Sequence, residues 1–156
     1  MLAQDFMTAH VHTCSAEDTF EHAAKLMWEN DIGCVVVTDV DRRPVGVITD
    51  RDIAMAAYTQ GVRLSDGRVA TAMSRHVVAC SVRTPASEVE HLMQAAQIRR
   101  VPIVDASERL VGIATLGDLA RATQATPLNL PAAPGIAKTL AAVSKPRMPS
   151  AAPRAA

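Results

Sequence analysis

The sequence predicts an α/β fold in which two βαββα repeats pack around an approximate two-fold axis. Shifting the chain by 66 residues places the segment from Met7 to Ala54 on the segment from Met73 to Ala120 without a gap, which indicates two copies of one unit. The composition is 49% hydrophobic with two Phe, one Tyr and one Trp, so the core is aliphatic. One unit is too small to bury both faces of its sheet, and we expect the pair to fold together.

The first copy begins with a short strand at residues 11–14. Asp18 and Glu21 have the spacing of a capping box and predict the start of a helix. Apolar residues then recur at i, i+3, i+4 and i+7 and make one buried stripe. Its members are Phe20, Ala23, Ala24 and Met27.

Two strands and a second helix complete the copy. The apolar run 33–38, the turn 39–44 and the strand 45–49 predict a hairpin, and residues 50–57 predict a short helix. In the second copy, Thr84 and Pro85 are predicted to begin the first helix. We therefore divide the chain into repeat 1 (1–58), a linker (59–70), repeat 2 (71–124) and a tail (125–156).

The tail differs in composition from the repeats. It holds six of the nine prolines and ten alanines, and it is predicted to be largely disordered. The alternative within it is a short helix after Gly135, with Ile136, Leu140 and Val143 on one face.

The charge distribution, the apolar runs and the cysteines indicate which partners and which cellular location to expect. The formal net charge is zero, and the tail carries four basic side chains and no acidic one, so the body of the chain has no basic footprint for nucleic acid. No run has the length and apolar character of a signal peptide or a membrane span. Three cysteines without a C-x-x-C pair are typical of a reducing compartment, and a cytoplasmic location is expected.

Each repeat ends in a strand that runs directly into a helix, with the sequences VGVITDRDIA (45–54) and VGIATLGDLA (111–120). These segments resemble the signature of the cystathionine-β-synthase (CBS) domain, in which Gly-h-h-Ser/Thr-x-x-Asp joins strand to helix. The resemblance covers about residues 5–124. It implies a regulatory pair of domains, a Bateman module, that binds an adenosine nucleotide (AMP, ADP, ATP or S-adenosylmethionine) in two clefts.

The resemblance also implies roles for particular residues. The hydroxyls of Thr49 and Thr115 meet a phosphate, and the carboxylates of Asp52 and Asp118 accept hydrogen bonds from ribose hydroxyls. The chemistry agrees, because a helix N-terminus favours an anion and an ionised carboxylate accepts from a vicinal diol. The alternative is a capping box, in which Thr and Asp satisfy only each other's backbone donors.

The two clefts are predicted to be unequal. Arg51 follows Thr49 in repeat 1, whereas Gly117 stands at that position in repeat 2. Conversely, Gly33 would allow a ligand to approach closely, whereas repeat 2 has Arg99 there. Arg99 and Arg100 are candidates for phosphate contact, with a solvated strand start as the alternative.

The cysteines and histidines suggest a different site. Cys14 and Cys80 are repeat-equivalent, and His10, His12 and His76 lie nearby in sequence. A metal site is conceivable, but the spacing of a metal motif is absent, and no metal is predicted. A disulfide between Cys14 and Cys34, or another thiol switch, is the redox alternative.

Enzymatic activity is not predicted, because the sequence has no nucleophile elbow, P-loop or G-x-G-x-x-G motif. No cofactor is required. The resemblance implies a stand-alone sensor that forms a homodimer through its helices and signals to an unknown effector protein. The alternative function is an adaptor that dimerises without binding a ligand.

Overall fold

The structure is a computed structural model, which describes residues 1–124 and 133–145. Each repeat has the predicted order βαββα, and a further helix follows repeat 2. Repeat 1 contains β1 (Thr13–Cys14), α1 (Phe20–Glu29), β2 (Cys34–Thr38), β3 (Pro44–Thr49) and α2 (Asp50–Gln60). Repeat 2 contains β4 (Cys80–Ser81), α3 (Ala86–Ala96), β5 (Arg100–Val104), β6 (Leu110–Thr115) and α4 (Leu116–Gln124), and the last helix is α5 (Ala133–Val143).

Each repeat builds a three-stranded sheet with the middle strand buried. The strand orders are β1-β2-β3 and β4-β5-β6, with the first pair parallel and the hairpin pair antiparallel. Val35, Val36 and Val37 of β2 are fully buried, which explains the continuous apolar run in the sequence. The predicted fold class is therefore confirmed.

The cap predicted for α1 is wrong by one residue. The N-cap residue is Thr19, whose Oγ1 accepts a hydrogen bond of 3.1 Å from His22 N. Asp18 Oδ2 instead accepts a hydrogen bond of 2.7 Å from Ser15 N in the preceding turn. The Asp18 carboxylate is therefore used before the helix begins.

The cap predicted for α3 differs in the same way. The helix begins at Ala86 with Pro85 in the N-cap position, so Pro85 is not its first residue. Thr84 Oγ1 accepts a hydrogen bond of 3.1 Å from Ser81 N. Thr84 and Asp18 are repeat-equivalent, and both close the turn that follows the first strand of their repeat. The two repeats thus use different side chains for one local bond.

The segments that precede the first strand of each repeat are exchanged between the two cores. Ala3 N donates to Thr84 O at 2.8 Å in repeat 2, and Val69 N donates to Asp18 O at 2.9 Å in repeat 1. Ala3 and Phe6 belong to the core cluster of repeat 2, whereas Val69 belongs to that of repeat 1. Each core therefore contains residues from outside its own sequence repeat.

The exchange continues at the sheet edges. Thr8 forms an antiparallel bridge with Ile113 of β6, and Ser74 forms the equivalent bridge with Val47 of β3. These paired contacts follow the same shift in sequence that relates the repeats, which is the behaviour expected of an approximate two-fold arrangement.

Helix α5 packs against repeat 2. Gln94 Nε2 of α3 donates a hydrogen bond of 2.8 Å to Thr139 Oγ1, which is fully buried, and Val143 joins the core of repeat 2. Leu140 is 50% exposed, so the inner face of α5 contains Thr139 in place of the predicted Leu140. The tail was predicted to be largely disordered, and this is wrong for the described part, where the alternative of a short helix is present and begins at Ala133, before Gly135. The disorder predicted for residues 125–132 and 146–156 falls outside the described residues.

None of the helices in the described ranges 1–124 and 133–145 combines the length and the apolar character that crossing a membrane requires.

Candidate functional site

A cleft of about 260 Å³ lies between the two repeats and is lined by residues of both. Four of the predicted site residues meet there: Gly33, Arg100, Thr115 and Asp118. The other residues of the lining are Thr8, His10, Val11, His12, Ile32, Cys34, Val36, Ile113 and Arg121. The cleft thus joins an apolar wall to charged groups, which is the character of a small-molecule site.

Thr115 and Asp118 are joined by a reciprocal cap at the start of α4. Asp118 Oδ2 accepts from Thr115 N at 2.8 Å and from Thr115 Oγ1 at 2.6 Å, and Asp118 N donates to Thr115 Oγ1 at 3.1 Å. The capping box considered from the sequence is therefore present. The hydrogen bonds of this cap use Asp118 Oδ2, and the second carboxylate oxygen, Oδ1, takes no part in it.

The partner of Asp118 Oδ1 is Arg121, a residue that the sequence motif does not include. Arg121 Nη2 donates to this oxygen, and the carboxylate is almost buried while the arginine side chain is 73% exposed. The one sequence signal that could have identified Arg121 is a difference between the repeats, because Met55 stands at the equivalent position in repeat 1. Arg121 therefore gives the Asp118 side of the cleft a guanidinium at a position where repeat 1 has an uncharged residue.

Arg100 reaches the cleft beside Gly33. A β carbon built on Gly33 would lie 3.2 Å from Arg100 Nη2 and 3.7 Å from Asp50 Oδ2. A larger residue at position 33 would thus displace the guanidinium. Two basic side chains, Arg100 and Arg121, line one cleft, and they can compensate a bound anion.

The Thr49 and Asp52 pair forms the same cap at the start of α2. Asp52 Oδ2 accepts from Thr49 N at 2.9 Å and from Thr49 Oγ1 at 2.7 Å. Thr49, Arg51, Asp52 and Arg99 are not among the residues that line the cleft of about 260 Å³. The side chains of Arg51 and Arg99 are exposed. A ligand role for these four residues stays a prediction.

Asp50 distinguishes the two helix starts. Its Oδ1 accepts a hydrogen bond of 2.7 Å from Arg51 N, so a carboxylate already occupies the N-terminus of α2. Leu116 stands at the equivalent position in α4 and offers no such acceptor to Gly117. The N-terminus of α4 is therefore better suited to an external anion.

The three cysteines are free and buried. Cys14 lies opposite Val37 in the neighbouring strand, and Cys34 lies three residues farther along, at a distance of about 10 Å along the strand. A disulfide needs Cα atoms within about 7 Å, so the Cys14–Cys34 disulfide does not fit this fold. Burial raises the pKa of Cys14 to about 12, with the Asp18 charge adding to the effect.

Cys34 is the thiol that lines the cleft. Burial raises its pKa, while the positive charge of Arg100 opposes the shift. The imidazoles of His10 and His12 lie edge to face, with ring centroids 5.1 Å apart. Within residues 1–124 and 133–145, no three His, Cys, Asp or Glu side chains are grouped so that they could hold a metal ion.

Comparison with known proteins gives relatives over most of the described chain. A CBS domain-containing protein of Bacillus subtilis, YhcV, is 40% identical over 119 residues, which cover 75% of this chain and 81% of the relative. The crystal structure of Hypoxic Response Protein I with two coordinated zinc ions is 31% identical and has a TM-score of 0.71, covering 78% of this chain and 98% of the other. The protein of that name in Mycobacterium tuberculosis, Hypoxic response protein 1, is 32% identical over 119 residues.

A second solved structure contains adenosine compounds. It is the CBS domain pair of protein MJ0100 in complex with 5′-methylthioadenosine and S-adenosyl-L-methionine, at 27% identity and a TM-score of 0.72. The alignment covers 80% of this chain and 96% of the other. The sequence model of the CBS domain itself matches twice, at residues 3–58 and 68–125. With its two matches, this chain belongs to the CBS domain family as a tandem pair.

Proposed function

We propose that this chain is a regulatory sensor that binds an adenosine nucleotide in the cleft between its two repeats. The observation that carries the proposal is the convergence of Arg100, Thr115 and Asp118 on one cleft of about 260 Å³. The complex of the MJ0100 domain pair with two adenosine compounds supports the same ligand class.

Each part of the ligand has a matching group in the lining. Apolar side chains of Ile32, Val36 and Ile113 offer a surface for the adenine ring. Asp118 accepts hydrogen bonds from ribose hydroxyls, because an ionised carboxylate is an acceptor only. Arg100 pairs with a phosphate, and Gly33 leaves the space that its guanidinium occupies.

Isothermal titration of AMP, ADP, ATP and S-adenosylmethionine into the full chain tests the proposal. At least one of them is expected to bind with one dominant site, and Asp118→Asn is expected to weaken it by about tenfold or more, since it removes a charged acceptor. Asp52→Asn is the matched control at the equivalent cap outside this cleft. Circular dichroism of both variants checks that they fold, and failure of all four ligands to bind the native chain would refute the proposal.

Signalling requires that the ligand distinguish two states of the protein. A nucleotide that binds one arrangement of a homodimer more tightly shifts the population toward it by no more than its differential affinity. Small-angle scattering with and without the bound nucleotide measures this shift. An unchanged profile at saturation would favour a protein that binds the nucleotide without changing its arrangement.

Self-association is the second candidate function, and the outer face of repeat 1 favours it. Trp28 is 89% exposed, Tyr58 83% and Met55 51%, all on α1 or α2. A groove of about 630 Å³ is lined by residues of α1 and α2 and includes Ala24, Met27, Trp28 and Ile53. Exposed aromatic residues beside an apolar groove are typical of an interaction surface.

Analytical ultracentrifugation tests this second function. The native chain is expected to sediment as a dimer, and Trp28→Glu is expected to shift it toward the monomer by placing a charge in the interface. Val40→Glu is the control, because Val40 is fully exposed in a turn of repeat 1. A native chain that is monomeric at high concentration would contradict self-association while leaving nucleotide binding intact.

A further inference from the structure

The ion pair between Asp118 and Arg121 occupies the carboxylate oxygen that a ribose would use. Asp118 Oδ2 is already bound by the amide and the hydroxyl of Thr115, and Arg121 Nη2 donates to Oδ1. Both oxygens of the carboxylate are therefore engaged before any ligand enters. Oδ1 keeps one acceptor site, so a vicinal diol, which brings two donors, can place both on this oxygen only where Arg121 gives way.

The two partners differ in their freedom to move. The Asp118 side chain is 7% exposed and is held by the cap, whereas the Arg121 side chain is 73% exposed. An arginine in contact with water can rotate away at small cost, but a buried carboxylate without a partner is expensive. Arg121 is thus the partner that exchanges.

We infer that Arg121 is a specificity-determining residue, which shields Asp118 in the empty cleft and transfers to the phosphate of the bound nucleotide. The inference rests on the proposed function, because it takes Asp118 as the ribose acceptor. A phosphate replaces the charged partner that Arg121 gives up, whereas the neutral ligand adenosine does not. S-adenosylmethionine brings a positive sulfonium to a cleft that already holds Arg100 and Arg121. The cleft therefore selects phosphate-bearing adenosine compounds.

The surroundings of Arg121 are specific to repeat 2. A β carbon on Gly117 would lie 3.4 Å from Arg121 Nη1, so a longer side chain there would compete for the space of the guanidinium. Repeat 1 has Arg51 at the position of Gly117 and Met55 at the position of Arg121. Asp52 accordingly has no arginine partner among the described residues, and its hydrogen bonds are those of the cap with Thr49.

Titration of adenosine, AMP and S-adenosylmethionine into the native chain and the Arg121→Met variant tests the inference. Methionine is the residue that repeat 1 carries at this position, and it keeps an unbranched side chain while removing the guanidinium. In the native chain AMP is expected to bind at least tenfold more tightly than adenosine. In the variant the affinity for AMP is expected to fall by about tenfold, because the hydrogen bonds between Arg121 and the phosphate are lost. The affinity for adenosine is expected to stay the same or to rise, because Asp118 Oδ1 is no longer bound by Arg121.

Two further variants sharpen the result. Arg121→Lys keeps the charge and is expected to retain part of the preference for AMP. Arg83→Met makes the same change of charge at an exposed arginine that does not line the cleft and has no predicted ligand role, and it is expected to leave the ratio of the two affinities unaltered.

The outcomes separate the inference from the proposed function. If AMP and adenosine weaken equally in Arg121→Met, the residue supports the cleft without choosing its ligand, and the inference is overturned. An unaltered affinity ratio in that variant overturns it as well. If none of the three ligands nor ATP binds the native chain, the proposed function itself fails.

Discussion

Gly67 lies against the Phe20 ring: a β carbon on Gly67 would be 2.3 Å from both Cδ2 and Cε2 of that ring. Phe20 N also donates a hydrogen bond of 2.9 Å to Gly67 O, and the Phe20 side chain is fully buried. The segment between α2 and the short 3₁₀ helix Val69–Thr71 is thus anchored on the core of repeat 1 at a point where only glycine fits.

Gly67→Ala is expected to lower the free energy of unfolding by about 1–3 kcal/mol, because the buried ring cannot move away from the added methyl group. Chemical denaturation followed by circular dichroism measures the change. Gly117→Ala is the control, since its β carbon would meet its nearest neighbours at 3.4 and 3.6 Å. A similar loss in both variants would contradict the packing described for Gly67.

Arg100→Gln is expected to weaken nucleotide binding by about tenfold or more, since the proposed charged partner of the phosphate is lost. Arg99→Gln changes the neighbouring residue by the same chemistry, but Arg99 is exposed and lies outside the cleft lining. Its expected effect is below threefold. Equal effects in the two variants, measured by isothermal titration, would mean that long-range charge alone accounts for the contribution of Arg100.

Val143→Ala is expected to destabilise the protein by about 1–3 kcal/mol, because Val143 is 8% exposed and joins the core of repeat 2. Leu140→Ala removes more side chain from the same helix, yet Leu140 is 50% exposed, and a change below about 0.5 kcal/mol is expected. Thermal or urea unfolding compares the two. The reverse order of stabilities would mean that α5 packs through its other face.

Because the Cys14 thiol is buried, we expect the free energy of unfolding to fall at alkaline pH. Burial raises its pKa from 9.0 to about 12 in the folded state, so the folded chain retains a proton that the unfolded chain releases. The contribution to stability is complete below pH 9 and is lost as the pH rises from 9 toward 12. Cys14→Ala is expected to show a shallower decline over that window in urea unfolding, and an identical decline would assign the effect to other groups.

The architecture of each repeat was predictable because its signals are local. The buried strand β2 follows from the run of apolar residues that includes Val35, Val36 and Val37, and the repeat register transfers the assignment to β5. The caps of α1 and α3 were mispredicted because several side chains near each of these helix starts can accept a backbone hydrogen bond. Asp18 and Thr84 have the residue types of helix caps, but both bind the preceding turn.

The candidate site was only partly predictable, because it is assembled across the repeats. The motif pointed to Thr115 and Asp118, but the meeting of Gly33 with Arg100 depends on how the two repeats pack. Periodicity and motif spacing carry no information about that placement. Arg121 lies outside the motif, and its contact with Asp118 emerges only when α4 is seen as a helix with both residues on one face.

The exchanged segments change what a single repeat could be. Phe6 completes the core of repeat 2 and Val69 that of repeat 1, so one repeat alone would have to take these residues from a second molecule. Its folding would then fail on dilution, as any bimolecular step does. Joining two copies in one chain supplies each missing segment at an effective concentration that a short connection keeps near the millimolar range. Tandem duplication thus makes the completion of both cores intramolecular, so that it no longer depends on the protein concentration.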